Sequence, residues 1–91
     1  MRQGLARTRR LRDCEITYHA VDSYANRVPG AGIDARGELE ALAQRATYVY
    51  RRPTGEEIWR VEHAGQWLRL VVHQIARRPP LLLTVILEGL Q

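Results

Sequence analysis

Hydrophobic and polar positions along this chain follow two different periods, and the change between them falls near residue 47. Within residues 17–28, Val21, Tyr24, Ala25 and Val28 recur at the i, i+3, i+4, i+7 spacing of one helical face. Thr17 stands where an N-cap hydroxyl accepts a backbone N–H, Ile16 is placed to staple onto Val21, and Pro29 with Gly30 stops the element. Past the loop holding Gly30 and Gly32, Asp34 is a second N-cap candidate. Behind it Ala35, Leu39, Leu42, Ala43 and Ala46 form the apolar stripe of a second helix, with Arg36 and Glu40 four apart on its exposed side.

From Thr47 onward the alternation is by two, which predicts strands at 47–52, 57–62, 66–73 and 81–87. Pro53-Thr54-Gly55 and His63-Ala64-Gly65 are short enough to join antiparallel neighbours, and Arg77-Arg78-Pro79-Pro80 separates the last two strands. The expected fold is α+β: two N-terminal helices packed on one face of a four-stranded antiparallel sheet, forming a single domain over residues 15–91. Strand parity then sorts the side chains. Trp59 and Val61, then Leu68, Leu70 and Val72, then Leu81, Leu83, Val85 and Leu87 form the expected core beneath Leu39 and Leu42.

The opposite parity moves the reading from fold to chemistry. It collects Ile58, Arg60 and Glu62, then Trp67, Arg69, Val71 and His73, then Leu82, Thr84 and Ile86. Arginines grip phosphate with a planar fork, a tryptophan stacks on a base, and a histidine moves protons. A half-solvated sheet face with cross-strand ion pairs accounts for the same pattern, and the pattern by itself favours that plainer account.

Charge adds a second candidate region. All 14 basic residues are arginine, and Arg2, Arg7, Arg9, Arg10 and Arg12 precede the first acid; residues 13–91 hold nine arginines against ten acids. The net +4 therefore resides in the first residues. Residues 1–14, with little hydrophobic period, read as an arginine-rich flexible tail in which Arg7, Arg9, Arg10 and Arg12 are candidates to contact RNA or an acidic protein surface.

Other chemistry is narrowed by what accompanies it. Cys14 is the one cysteine, which rules out a disulfide within the chain and a site of several cysteines; it points to a reducing, cytoplasmic setting. Asp13 and Glu15 on either side would raise its thiol pKa rather than activate it. The apolar run 81–87 is interrupted by Thr84 and too short for a membrane span, and the basic start leads into Asp13-Cys14-Glu15 rather than an apolar stretch, so no membrane partner or export is expected. His19, His63 and His73 lack a metal-ligand spacing, and Gly30-Ala31-Gly32 lacks the preceding strand of a phosphate loop, so no metal or cofactor is expected. His19, Asp22, Ser23 and Asn26 share one side of the first helix as a solvated polar face; a single helix does not supply the base, orienter and oxyanion site of a catalytic triad.

The run Ile16-Thr17-Tyr18-His19-Ala20, followed by Tyr24-Ala25-Asn26-Arg27-Val28, resembles the opening of a small domain-of-unknown-function family related to the BrnT and RelE/ParE toxins. Leu83-Thr84-Val85-Ile86 is similar to that family's closing strand and Trp67-Leu68-Arg69-Leu70-Val71-Val72 to its penultimate one, so the likeness spans residues 16–87 in order of elements. The resemblance implies a toxin-like ribonuclease fold that cleaves RNA without a metal by aligning the 2′-hydroxyl and stabilising the phosphorane. His19, Arg27 and Thr84 match the family's motif, while Ser23 stands where members carry a second arginine.

Three functions follow as expectations. In the first, an RNA-cleaving toxin with a possible antitoxin partner, the catalytic candidates are His19, Arg27, Arg69, His73 and Thr84, with Arg7, Arg9, Arg10, Arg12, Arg60 and Trp67 contacting RNA. In the second, a phage or mobile-element accessory protein inhibits a host protein by binding, without catalysis. In the third, the tail tracks a nucleic-acid backbone and the domain is its scaffold.

Overall fold

The computed structural model describes residue 11 and residues 13–89; the remaining positions, among them the tail candidates Arg7, Arg9, Arg10 and Arg12, lie outside the described residues. The chain runs β1 (Glu15–Ile16), α1 (Tyr18–Arg27), α2 (Ala35–Arg45), β2 (Thr47–Arg51), β3 (Glu57–His63), β4 (Gln66–His73) and β5 (Leu81–Leu87). Both helices start at the expected caps. Thr17 Oγ1 accepts the Ala20 N–H at 3.1 Å and Asp34 Oδ1 accepts the Gly37 N–H at 3.1 Å. The Val28 N–H closes α1 on the Tyr24 carbonyl just ahead of Pro29.

β2 to β5 form the expected antiparallel meander, but among the described residues the sheet has five strands, is mixed, and runs in the order β1-β5-β4-β3-β2. The added strand β1 pairs parallel with β5, placing Glu15 beside Leu81 and Ile16 beside Leu82. A two-residue strand is too short to show alternation, which is why the four-stranded expectation omits it. Packing also begins before Ile16: Leu11 is buried in the core and Cys14 packs against it.

The core lies between the helices and one face of the sheet. Leu39, Leu42, Trp59, Val61, Leu68, Leu70, Val72 and Val85 are buried there as parity predicts. Leu83 is not; Leu82 takes its place. Val71 faces Thr84 while Val72 faces Leu82, so Leu83 is an extra residue on β5. Such a bulge reverses the parity of everything before it, and Leu81 becomes partly exposed for the same reason. The buried face of α1 is likewise rotated from the expected one: Ala20, Ser23, Tyr24 and Val28 are buried and Ala25 is exposed.

That rotation has a physical cause. β1 covers only the start of β5, so the rest of that edge would present bare backbone groups. α1 covers it with side chains: Ser23 Oγ accepts the Val85 N–H at 3.0 Å, and Arg27 Nη1 donates to the Val85 carbonyl at 3.0 Å. At the opposite edge, β2 carries a bulge between Tyr48 and Tyr50 and ends in Arg51, both features that discourage edge pairing.

The hairpin joining β3 and β4 is a two-residue turn, with His63 paired to Gln66 and positive φ at both Ala64 (54°) and Gly65 (79°). This is the primed geometry that suits strand twist, but an alanine pays a steric penalty there. Ala64→Gly is expected to stabilise the domain by about 0.5–1 kcal/mol, read as a higher urea midpoint at unchanged slope; a lower midpoint would contradict this. Among the described residues no helix is long and apolar enough to cross a membrane.

Candidate functional site: the open face of the sheet

Because both helices pack on one side, the other face of the sheet carries no helix among the described residues. Ile58 and Val71, Cα partners across β3 and β4, are buried on it, apart from the main core cluster. Around them stand Tyr50 opposite Ile58, Thr84 opposite Val71, and Ile86 opposite Arg69. Trp67 and Tyr50 remain 44% and 42% exposed. An apolar floor with half-exposed aromatics at its rim is what a stacking surface requires.

Arg60 and Arg69 are direct cross-strand partners, a placement that like charges resist unless an anion joins them. Glu88, in the turn after β5, is that anion. Its Oε2 accepts from Arg60 Nε and from Arg69 Nε, each at 2.8 Å, and its Oε1 accepts from Arg60 Nη2 at 2.9 Å. The Glu88 N–H donates to the Trp67 carbonyl at 2.9 Å and so fixes the turn to β4. The Arg60 guanidinium lies 4.2 Å from the centre of the Trp67 ring, within cation–π range. Hydrogen bonds from Arg60, and then from Arg69, hold the Glu88 carboxyl below its ordinary range despite partial burial, and Glu88 in turn raises Arg69. Arg69 uses only Nε in this bridge; its two Nη groups make no hydrogen bond among the described residues, and its side chain is 43% exposed.

The other sequence candidates lie elsewhere. His73 is exposed on β4, four residues and therefore about 13 Å of strand from Arg69. Thr84 Oγ1 donates to Ser23 Oγ at 3.3 Å, and with Arg27 it belongs to the α1 contacts that cover the β5 edge. His19 is exposed on α1. The structure thus groups Arg60, Trp67 and Arg69, groups Arg27 and Thr84 with Ser23 around the Val85 backbone, and leaves the two candidate histidines, His19 and His73, apart from the arginine pair. Ser23, read from helical spacing as solvated, is buried. Its hydroxyl donates to the Ala20 carbonyl at 3.0 Å while accepting from Val85, so the polar group is satisfied inside.

Sequence reasoning missed two carboxylates. Glu88 shares the parity of Thr84 and Ile86, and extending the alternation one step past residue 87 would have found it. Glu57 shares the parity of Trp59 and is fully buried, accepting from Trp59 Nε1 at 3.1 Å, Gln74 Nε2 at 3.2 Å and Arg51 Nη2 at 3.2 Å. It ties the β2 end and the loop after β4 to the core.

A further cluster fixes the helical layer. The Tyr24 O–H donates to Glu38 Oε1 at 2.7 Å, and the Gly32 N–H donates to the same oxygen at 3.0 Å. Burial, reinforced by Glu38, pushes the Tyr24 phenol up to about 12. The bonds from Gly32 and Tyr24 hold Glu38 below its ordinary value. A raised folded-state pKa contributes stability that is complete below the unfolded tyrosine value of about 10 and is lost as pH rises through the folded one. Stability should accordingly fall as pH climbs from about 10 toward 12, and Tyr24→Phe should flatten that fall. The same alkaline slope in both proteins, measured by urea unfolding across pH, would assign it to other groups. Cys14 is also raised, chiefly by burial and further by Glu40 and Asp13; of the two flanking acids only Asp13 contributes, and least.

Charge divides between the layers. Residues 13–46 hold three arginines against six carboxylates, whereas residues 47–89, which make the meander, hold six against four. A near-neutral body therefore has a cationic sheet half and an anionic helical half. Among the described residues no group of three or more His, Cys, Asp or Glu side chains is placed to hold a metal ion. Compared with known proteins, the chain matches no family model, no curated protein and no solved structure.

Proposed function

We propose that the protein binds single-stranded RNA on the open face of its sheet, in keeping with the toxin-like, RNA-acting fold that residues 16–87 resemble. The observation that carries this reading is the unit of Arg60, Trp67 and Arg69: a half-exposed ring backed by one guanidinium, with a second guanidinium directly across the strand pair. Trp67, with Tyr50 at the far rim, offers stacking surfaces for bases, and the arginines meet the phosphates between them. The arginine tail supplies sequence-independent attraction to the backbone.

Cleavage would ask more of this face. Arg69 is suited to a phosphorane, but His73 stands about 13 Å along β4, and Arg27 and Thr84 are engaged at the β5 edge. The geometry supports binding ahead of metal-independent ribonuclease chemistry. A second reading, inhibition of a host protein by binding, is favoured by one specific feature. Half-exposed tryptophan and tyrosine beside arginine is also the composition of protein-interface hot spots.

Two tryptophans make the test direct, because Trp59 is buried in the core and Trp67 is at the surface. Adding a short oligouridylate should quench the Trp67 part of the emission, and Trp67→Leu should remove the quenching. Unchanged fluorescence together with unchanged anisotropy of a labelled oligouridylate would overturn the RNA reading and move the function to the protein-binding one.

A further inference from the structure

We propose that Glu88 is a built-in competitor for RNA: its carboxylate fills an anion subsite between Arg60 and Arg69, and a backbone phosphodiester enters that subsite by displacing it. The inference rests on the RNA-binding reading above and assigns that face both its phosphate position and its means of restraint.

The subsite is formed by convergence. Two planar guanidiniums on neighbouring strands direct three N–H groups at one carboxylate, at 2.8, 2.8 and 2.9 Å. Carboxylate and phosphodiester both present paired oxygens to an arginine fork, so a pocket that fits one fits the other. Facing each other across β3 and β4, the two arginines repel unless an anion joins them, and in the absence of ligand the chain provides its own. The floor is rigid, because Arg60 and Arg69 lie within paired strands and Arg60 is further held against Trp67.

Glu88, in contrast, is placed to leave. It lies beyond the last residue of β5, next to Gly89 with φ at 77°. Its side chain can swing out while its backbone N–H stays on the Trp67 carbonyl. The side chains of Arg60 and Arg69 are 36% and 43% exposed, so an incoming phosphate reaches them from solvent. Arg69 Nη1 and Nη2 give that phosphate a second point of contact once Glu88 has moved. The exchange replaces one anion by another, so wild-type affinity on this face is restrained at neutral pH and rises when the internal anion is removed.

The variant is Glu88→Gln, which keeps the size and the backbone bond and removes the charge. Binding of a fluorescein-labelled oligouridylate, followed by anisotropy at fixed salt, is expected to tighten about tenfold, equivalent to about 1.4 kcal/mol. Adding Arg69→Ala should cancel the gain. In the wild-type protein, carbon-detected NMR should show the Glu88 carboxyl resonance moving as oligouridylate is added, together with the Arg60 and Arg69 Nε–H signals; this readout does not depend on the variant folding. If wild-type protein binds and Glu88→Gln binds equally or more weakly, Glu88 positions the arginines and the inference is overturned while the RNA reading stands. If neither protein binds RNA, both fall. If oligoglutamate moves the same resonances at lower concentration than oligouridylate, the subsite takes a carboxylate partner, and the phosphodiester assignment is overturned.

Discussion

Leu70→Ala is expected to lower the free energy of unfolding by about 2–5 kcal/mol, a large share of the roughly 5–15 kcal/mol that holds a small domain together. Leu70 is fully buried, with Trp59 beside it on β3 and Val85 on β5, so truncation opens a cavity where three strands meet the helical layer. The strands are fixed by backbone pairing on both sides and can collapse only partly into that space, which places the cost toward the upper half of the range. Urea unfolding followed by Trp59 fluorescence measures it. A loss below about 1 kcal/mol would mean that the sheet does not pack against α1 and α2 as described.

The second large effect is expected on binding rather than stability. Replacing both Trp67 and Arg69 with alanine should weaken oligouridylate binding by about 2 kcal/mol or more, roughly thirtyfold, since one stacked base alone contributes about 1–3 kcal/mol. The melting temperature should change little. Trp67 is half exposed, exposed ion pairs contribute about 0–1 kcal/mol, and Arg60 keeps its two bonds to Glu88. A double variant that binds RNA like the wild type would remove the open face from the function.

Much of the fold is legible in the chain because its signals are local. Thr17 and Asp34 cap helices through their own side chains, Pro29 lacks the N–H that a continuing helix requires, and four strands announce themselves by alternation. What stays hidden depends on partners distant in sequence. β1 is a strand only because Leu81 and Leu82 lie beside it, and Leu11 is buried among core residues that lie far from it in sequence. Nothing near Leu83 marks a bulge; the extra residue appears when β5 is set against β4, and from there the parity argument inverts.

The candidate site divides the same way. Parity correctly placed Arg60, Trp67 and Arg69 on one face, because alternation is a property of each strand taken alone. It could not show that Glu88 bridges the arginines, since that contact spans 28 residues from Arg60 and 19 from Arg69. Nor could spacing along α1 reveal that Ser23 and Arg27 serve the backbone of Val85. A helix face looks polar and solvated until the strand edge that it covers is known.

Whether RNA binds on the open sheet face is tested most directly by amide chemical-shift mapping of the full chain with oligouridylate. The largest shifts among the described residues are expected on Tyr50, Arg60, Trp67, Arg69 and Glu88, with little change on α2. Shifts concentrated on the exposed side of α1 and α2, or no shifts at all at saturating oligonucleotide, would contradict it.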